Sequence, residues 1–277
     1  IQKVTSKSGT TRTNASGNQL VNDTELTDAD IAKLRTGGTK SIPKLVEFVK
    51  STDSPKAVAL LGQIGIPDPR AIDQLKRLVQ TSGKKSLNAA TSLAMLGELD
   101  FLVGLALKKT NLSGVVEGVK KLYSAHSIDQ SAVYVPLDYR PIERLLEIPS
   151  CRKLAQKPAS DTRFVLETRS IRASDFDEAV RGTKSTHRMI REHAVLCLGN
   201  PKLGKKLSGE AMHAISSCFS DRSSAVRYRA LISMQRWKAA AKNYIPAIKK
   251  IAKRDPDDHL RYSADCVLAE FRRKGIQ

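Results

Sequence analysis

The strongest constraint on the fold is a motif that returns at nearly constant intervals in the last third of the chain. An arginine preceded by an aliphatic residue occurs as Arg191, Arg227 and Arg261, at intervals of 36 and 34 residues. Each of these arginines is followed by alanine three residues later and by leucine or methionine seven residues later. Such a period is typical of stacked helix pairs, because one pair cannot bury its apolar face without neighbours. The register therefore predicts an all-α solenoid.

A Leu-Gly pair extends the same period into the first half of the chain. Its glycines are Gly62, Gly97 and Gly199, and the intervals of 35 and 102 residues are close to one and three periods. Apolar residues also recur at helical spacing in 42–49, whereas only Tyr134, between two valines, resembles a strand. With 277 residues, of which 40% are apolar, the chain is long enough to bury a core, so we expect a globular, nearly all-helical protein.

Capping residues predict where three of the helices begin. Thr27 is placed to cap a helix whose third residue is Asp30, and the glycine pair 37–38 ends it. Ser174 is predicted to cap another helix, and the acidic residues that follow it suit the positive end of the helix dipole. The acidic segment 255–258 is predicted to begin the last helix in the same way. We therefore interpret these acidic clusters as helix starts rather than as general acid–base pairs.

Composition divides the chain into four segments. Residues 1–22 contain no acidic residue and many small polar ones, which predicts a flexible basic arm, with the remnant of a transit peptide as the alternative. N-terminal repeats are predicted over 23–123 and basic C-terminal repeats over 162–277. Between them, in 124–161, the period is lost and four prolines interrupt the sequence. This predicts an irregular connection in which only 142–148 looks helical.

One stretch resembles a known repeat family. LLGQIGIPDPRAIDQLKRLV, at 60–79, contains an apolar helix that ends at glycine, a turn with Asp-Pro-Arg and a second apolar helix. It is similar to the short HEAT-like repeat first described in phycobilisome lyases, and AVRYRALISM at 225–234 and HLRYSADCVL at 259–268 follow the same pattern. The resemblance extends roughly over 40–122 and 180–274. It implies an armadillo-like superhelix of about six to seven HEAT-like helix pairs.

The three arginines of the register allow two interpretations. In HEAT-like repeats an arginine at this place commonly pairs with an aspartate of a turn, so the resemblance implies a structural ladder. The aspartates available for it are Asp221, Asp255, Asp257 and Asp258. The alternative is a row of arginines that faces a binding partner.

Charge is distributed unevenly along the chain. Residues 151–277 contain 27 Lys and Arg against 13 Asp and Glu, a net charge of +14, whereas 1–150 contain 20 against 15, a net charge of +5. The excess is larger than solubility requires, so it predicts an acidic partner and an association that weakens with salt. The alternative is a basic face that is merely solvated. The residues predicted to bind that partner are Arg191, Arg227, Arg229, Arg236, Lys238, Lys242, Lys249, Lys250 and Arg261.

The class of the partner is left open between an acidic protein and nucleic acid. The resemblance implies a phycobiliprotein, for which the chain would be a rod-stabilising, linker- or chaperone-like component of a phycobilisome. Nucleic acid is the alternative, held through its phosphates by the basic residues of 222–254. We interpret the aromatic residues among them as core or ridge residues rather than as base-stacking platforms. These aromatic residues are Tyr228, Trp237, Tyr244 and Tyr262.

We predict a binding protein rather than an enzyme, with no cofactor and no metal site. The enzymatic alternatives are a bilin lyase-like activity, with Asp138, Tyr139 and Arg140 as candidates, and one similar to alkylpurine DNA glycosylases. His193 and Cys197 are four residues apart, a spacing that can hold a metal, but two ligands are too few and Cys197 is interpreted as a core thiol.

The cysteines and the hydropathy pattern bear on the compartment. The four cysteines contain no C-x-x-C motif and predict buried free thiols in a reducing compartment, the cytoplasm or a plastid. No run of eighteen apolar residues occurs, so no membrane-spanning helix is expected.

Overall fold

The structure, a computed structural model, describes residues 26–52, 54–123, 137–156 and 171–276. The predicted basic arm, 1–22, lies outside these residues. The described part of the chain forms fifteen α-helices, with short 3-10 turns between several of them. The helices are α1 (Asp28–Thr36), α2 (Ile42–Ser51), α3 (Pro55–Gln63), α4 (Pro69–Leu78), α5 (Lys84–Met95), α6 (Leu99–Leu107), α7 (Leu112–Lys120), α8 (Arg140–Glu147), α9 (Pro149–Gln156), α10 (Phe176–Gly182), α11 (Arg188–Leu198), α12 (Lys205–Ser217), α13 (Ser224–Arg236), α14 (Ile245–Arg254) and α15 (Asp258–Arg273).

From α2 onward the helices alternate along the chain between two layers. The first layer contains α3, α5, α7, α9, α11, α13 and α15, and the second contains α2, α4, α6, α8, α10, α12 and α14. Within the first layer, α3 packs on α5, α5 on α7, α7 on α9, α11 on α13 and α13 on α15. Second-layer helices pack on their neighbours along the chain, as α4 does on α5 and α14 on α15. The described residues thus form an all-α solenoid of stacked helix pairs, as the register predicts.

The residues that give the helices their periodicity are buried between the layers. The apolar residues of α2 predicted from spacing are at most 3% exposed. The alanines that follow the register arginines, Ala194, Ala230 and Ala264, are fully buried. Helix packing needs small residues at such crossings, because a larger side chain would hold adjacent helices apart.

Two of the three Leu-Gly glycines allow first-layer helices to approach each other closely. A Cβ atom on Gly62 would lie 2.6 Å from the Cα atom of Ser92, and one on Gly199 would lie 2.6 Å from the Cβ atom of Ser233. Gly97 has a different role, because it lies beyond the end of α5 with φ +86°. The sequence pattern therefore groups glycines of two kinds, packing glycines and a glycine that permits a left-handed turn.

In the first half of the solenoid, neighbouring helices are joined by neutral hydrogen bonds. The Ser92 hydroxyl donates to the Val58 carbonyl at 3.0 Å, and the Thr91 hydroxyl donates to the Gly118 carbonyl at 2.6 Å. The Asn88 amide donates to the Pro55 carbonyl at 2.7 Å. In the second half of the solenoid, successive helix pairs are joined by arginine–aspartate pairs, which are described below.

Within the described part of the predicted connection, 137–156, the helix expected over 142–148 is present as α8, and a second helix, α9, follows it. Residues 140–156 form α8 and α9, which pack on α6 and α7 and so continue both layers. Pro141 and Pro149 lie in the first turns of these helices. Proline is favourable there, because a backbone N–H in the first turn has no hydrogen-bond partner within the helix, so its absence costs nothing. The remainder of the predicted connection, 124–136 and 157–161, lies outside the described residues.

Two of the three predicted helix starts are confirmed. Thr27 and Asp30 form a reciprocal capping box, and Asp257 caps α15 by accepting from the backbone N–H of His259. Ser174 is not a cap, because it lies within a 3-10 turn, Ala173–Asp175. Asp175 instead accepts a hydrogen bond from the Leu137 N–H at 3.0 Å, so this carboxylate attaches the segment before α8 to α10.

Candidate partner-binding surface

Arg191 joins two successive helix pairs at one edge of the solenoid. Its Nε and Nη2 atoms donate to the Asp221 carboxylate at 2.7 and 3.0 Å, in the bidentate geometry that suits a guanidinium. Its Nη1 atom donates to the Ser185 carbonyl at 2.9 Å. The carbonyl belongs to the turn before α11 and the carboxylate to the turn before α13, so one side chain connects both turns.

Arg227 repeats this arrangement one helix pair further along. Its Nε and Nη2 atoms donate to the Asp255 carboxylate at 2.7 and 2.8 Å, and its Nη1 atom donates to the Asp221 carbonyl at 2.8 Å. Arg261 donates to the Asp255 carbonyl at 2.7 Å. A structural ladder is thus present, in which each arginine binds the carbonyl of its own turn and Arg191 and Arg227 bind the aspartate of the next.

The electrostatics of the ladder favour charged aspartates. Burial alone would raise the pKa of both carboxyl groups, but hydrogen bonds from Arg191 and Arg227 outweigh it and hold the pKa of Asp221 and Asp255 below the ordinary 3.8. The Arg227 and Asp255 side chains are 9% and 4% exposed. Arg261, by contrast, pairs with Asp258 near the surface, where the two side chains are 38% and 84% exposed.

The opposite edge of the solenoid is formed by the C-terminal ends of α11, α13 and α15. Two contacts bring these ends together. The Trp237 indole N–H donates to the Leu198 carbonyl at 3.2 Å, and the Gln235 amide donates to the Glu270 carboxylate. The turns that follow the three helices therefore lie side by side.

This second edge is strongly basic. Its segments, 199–206, 235–244 and 270–276, contain nine basic residues and one acidic residue, Glu270. All nine basic residues are exposed. We call them the basic edge: Lys202, Lys205, Lys206, Arg236, Lys238, Lys242, Arg272, Arg273 and Lys274.

The basic edge is largely without counter-ions. Lys274 pairs with Glu270, and the other eight basic residues make no ion pair with any residue that the structure describes. Lys205 and Lys206 lie in the first turn of α12, at the positive end of the helix dipole, where each lysine costs about 0.3–1 kcal/mol rather than stabilising the helix. The basic edge therefore carries eight exposed positive charges that no described carboxylate neutralises.

The nine residues predicted to bind a partner fall into separate places. Arg191 and Arg227 are buried in the ladder, and Arg261 pairs with Asp258. Arg229 is half-buried on α13. Lys249 and Lys250 are exposed on the solvent face of α14, and the remaining three, Arg236, Lys238 and Lys242, belong to the basic edge.

The basic edge also includes residues that the sequence analysis did not assign to the site. These are Lys202, Lys205 and Lys206 after α11, and Arg272, Arg273 and Lys274 after α15. A signal for them exists in the register. The turns after α11, α13 and α15 occupy the same place in their repeats. Aligning the sequence by its period of 34–36 residues therefore places the basic residues of these three turns together.

Two of the four aromatic residues interpreted as core or ridge are exposed. Trp237 is 7% exposed, and Tyr244 packs against the core. Tyr228 and Tyr262 are 39% and 72% exposed, and each directly follows a register arginine. Because α13 and α15 are stacked neighbours, these tyrosines lie at equivalent places on adjacent helices of the first layer.

The candidate residues for a lyase-like site do not form an open constellation. The Tyr139 side chain is fully buried, and its hydroxyl donates to Nδ1 of His193 at 2.7 Å. Nε2 of His193 carries the ring proton, because its partner at 3.2 Å is the Tyr123 carbonyl, which can only accept. Asp138 and Arg140 pair with each other at 2.6 Å. The structure thus uses this segment to pack α8 against α11.

The cysteines are unpaired, and three of them are buried. Cys197 is fully buried beside His193, which confirms its interpretation as a core thiol. Cys151 is also fully buried, and burial raises the pKa of Cys218 to about 11, so that this thiol stays protonated. Cys266 is exposed on α15, so the prediction of burial is wrong for this residue. No described helix is long and apolar enough to cross a membrane.

Comparisons with known proteins provide little beyond these observations. No protein-family model matches the chain, and no curated protein matches it. Among solved structures, the chain is similar to a designed armadillo repeat protein in complex with the peptide (KR)4, with 13% identity, a TM-score of 0.35 and coverage of 88% of this chain and 90% of that one.

A second structure, of computationally designed armadillo repeat proteins for modular peptide recognition, is similar with 15% identity and a TM-score of 0.35. That match covers 88% of this chain and 92% of the other. Both TM-scores are low. The helix packing described above identifies the chain as a helical repeat protein.

Proposed function

We propose that the chain is a non-catalytic helical-repeat scaffold that docks an acidic protein through the basic edge. The observation that supports this most is the row of eight exposed basic side chains without described counter-ions, spread over three successive turns at one edge. Unpaired surface charge of one sign attracts a partner of the other sign and accelerates its association, an effect that salt weakens.

A protein is favoured over nucleic acid because the helices that end at the charged edge also carry exposed aromatic side chains. Protein interfaces combine a polar rim with buried aromatic and arginine anchors. Tyr228 and Tyr262 provide such anchors in the first half of α13 and of α15, the two helices that end at the basic edge. Nucleic acid is the second candidate, supported by the same charge, since phosphates bind lysine and arginine irrespective of sequence.

A phycobiliprotein is the specific partner that we propose, with the chain acting as a linker- or chaperone-like, rod-stabilising component. The support for it is the resemblance of 60–79, 225–234 and 259–268 to the repeat of phycobilisome lyases, together with the opposite charge of acidic phycobiliproteins. The unpaired thiols Cys151, Cys197 and Cys218 suit a reducing compartment, for which we propose a plastid or the cytoplasm.

The test is capture by the purified chain from cell lysate, with and without nuclease treatment, at low and moderate salt. The bait is compared with an edge variant, Arg236→Gln with Lys238→Gln and Lys242→Gln, and with a control variant, Lys44→Gln with Lys56→Gln and Lys108→Gln, whose three lysines are exposed in the first half of the solenoid. Both variants lose three positive charges, but only the first changes the basic edge.

We expect an acidic protein that survives nuclease treatment, is lost as salt rises and is captured by the control variant but not by the edge variant. Capture that disappears entirely with nuclease would replace this proposal with phosphate binding. Equal capture by both variants would show that the basic edge is not the docking surface. Identification of the captured protein by mass spectrometry tests the phycobiliprotein assignment separately.

A further inference from the structure

An apolar face extends along α13 and α15 toward the basic edge, on the outer surface of the first layer. Tyr228 and Ile232 are one turn apart on α13, and Tyr262, Cys266 and Ala269 follow the same side of α15. Ile232 is half-buried and the other four are exposed. We call these five residues the tyrosine face.

The tyrosine face concentrates the exposed apolar surface of the protein. Three large apolar side chains are exposed in the described part of the chain, and two of them, Tyr228 and Tyr262, belong to it. The equivalent places on α11 are occupied by Glu192 and Leu196, both 4% exposed. The face therefore begins at α13, and the C-terminal ends of α13 and α15, with the turns that follow them, carry six of the nine residues of the basic edge.

Charged residues around the face differ from one end to the other. Arg236 and Arg273 lie toward the C-terminal ends of α13 and α15, at the basic edge. Asp258 and Asp265 are four residues before and three residues after Tyr262, and both are exposed on α15. A ligand that crosses the face thus meets positive charge at one end and carboxylates beside its aromatic centre.

We propose that the tyrosine face binds the apolar anchor residues of an acidic protein segment whose carboxylates contact the basic edge. The inference rests on the proposed function. It adds a second requirement for the bound segment, which must carry apolar side chains next to its glutamates or aspartates. Tyrosine suits this role, because its rigid ring provides a large contact area and its hydroxyl remains hydrated at the rim.

The local charges favour a protein segment over a nucleic acid on this face. Stacking of bases on Tyr262 would carry phosphates past Asp265, whose exposed carboxylate has no described ion pair and repels them, whereas the charge of Asp258 is balanced by Arg261. A protein segment can place neutral apolar side chains there and its carboxylates only near Arg236 and Arg273. Base stacking on the two tyrosines is accordingly the outcome that the experiment has to exclude.

The experiment uses the full chain and three fluorescein-labelled probes in anisotropy titrations. Two are peptides of equal length and equal glutamate content, one with leucine and phenylalanine and one with serine at the remaining positions. The third is single-stranded oligothymidylate. The protein is compared with a double variant, Tyr228→Ser with Tyr262→Ser, whose fold is checked by circular dichroism. Both tyrosines are exposed, so the substitutions spare the core.

We expect the apolar peptide to bind the native chain about tenfold more tightly than the serine peptide, as one well-placed aromatic contact typically provides. The double variant loses this preference and keeps its affinity for the serine peptide. Cys266, at the centre of the face, is an independent probe: bound apolar peptide should slow its reaction with a maleimide, and the serine peptide should not.

Other results would overturn the inference in distinguishable ways. Equal, salt-sensitive binding of both peptides, unchanged in the double variant, refutes the tyrosine face but leaves docking at the basic edge in place. Loss of oligothymidylate binding alone in the double variant would assign the face to base stacking. Failure of both peptides to bind the native chain would remove the proposed function together with this inference.

Discussion

At the scale of single residues, burial decides what an arginine does in this protein. Arg227 and Arg261 occupy the same register, and both donate to the carbonyl of the turn six residues before them. The helix pair of α14 and α15 lies beside Arg227, and its carboxylate partner is shielded from water, whereas the partner of Arg261 is exposed. Sequence predicts the register but not this difference, because the carboxylate partner of Arg227 lies 28 residues away, whereas that of Arg261 lies three residues away.

Replacing these two arginines should separate a structural contact from a surface contact. Arg227→Ala leaves Asp255 buried without its partner, and we expect a loss of about 3–5 kcal/mol in the free energy of unfolding. Arg261→Ala breaks an exposed pair and should cost at most about 1 kcal/mol. Urea denaturation followed by circular dichroism measures both. Losses of equal size would contradict the ladder.

The ladder also predicts how stability depends on acid. The pKa of Asp221 and Asp255 is lowered in the folded chain, so their contribution is complete above the unfolded value of 3.8 and is lost as pH falls through the lower folded value. Thermal unfolding from pH 6 to pH 2 should therefore show a drop below about pH 4. Asp255→Asn should be less stable at pH 6 and show a smaller drop.

Thiol reactivity tests the different environments of the cysteines. Cys151, Cys197 and Cys218 are buried, and Cys266 is exposed. Under native conditions we expect one rapidly reacting thiol for each chain with an aromatic disulfide reagent, and four after denaturation. Cys266→Ser should abolish the rapid phase. A rapid phase that survives this substitution would show that the first layer is more open than described.

At the scale of elements, the sequence predicted helices by their periodicity and failed where it used proline as a sign of irregularity. The residues of α2 and α15 were recognised from spacing and caps. α9 was not, because Pro149 was interpreted as an interruption, although proline is favourable in the first turn of a helix. Composition cannot distinguish a proline before a helix from one within it.

Two glycines in the second half provide a matched test of helix packing. A Cβ atom on Gly199 would meet Ser233 at 2.6 Å, whereas one on Gly209, within α12, has nothing within 4 Å. Gly199→Ala should destabilise the chain by about 1–3 kcal/mol through overpacking. Gly209→Ala should stabilise it by up to about 1 kcal/mol, because alanine favours the helix. Thermal denaturation of both variants measures these changes in stability. A stabilising effect of Gly199→Ala would contradict the close contact between Gly199 and Ser233.

At the scale of the whole molecule, the solenoid separates its charges between two edges. One edge uses arginines and aspartates to join helix pairs, and the other leaves basic side chains exposed. The sequence predicted a basic C-terminal half but not this division. Net charge is a property of composition, whereas an edge is defined only once successive turns are stacked. For this reason the sequence predicts one binding surface for Arg191, Arg227, Lys238 and Lys242, although the two arginines belong to the ladder and the two lysines to the basic edge.

The most direct test of the account is the salt dependence of binding to a purified phycobiliprotein, measured for the native chain, the edge variant and the control variant. We predict that affinity falls steeply with salt for the native chain and the control variant. The edge variant should bind about tenfold more weakly at low salt and with a shallower dependence. If the control variant loses as much as the edge variant, binding follows net charge alone, and the basic edge has no special role.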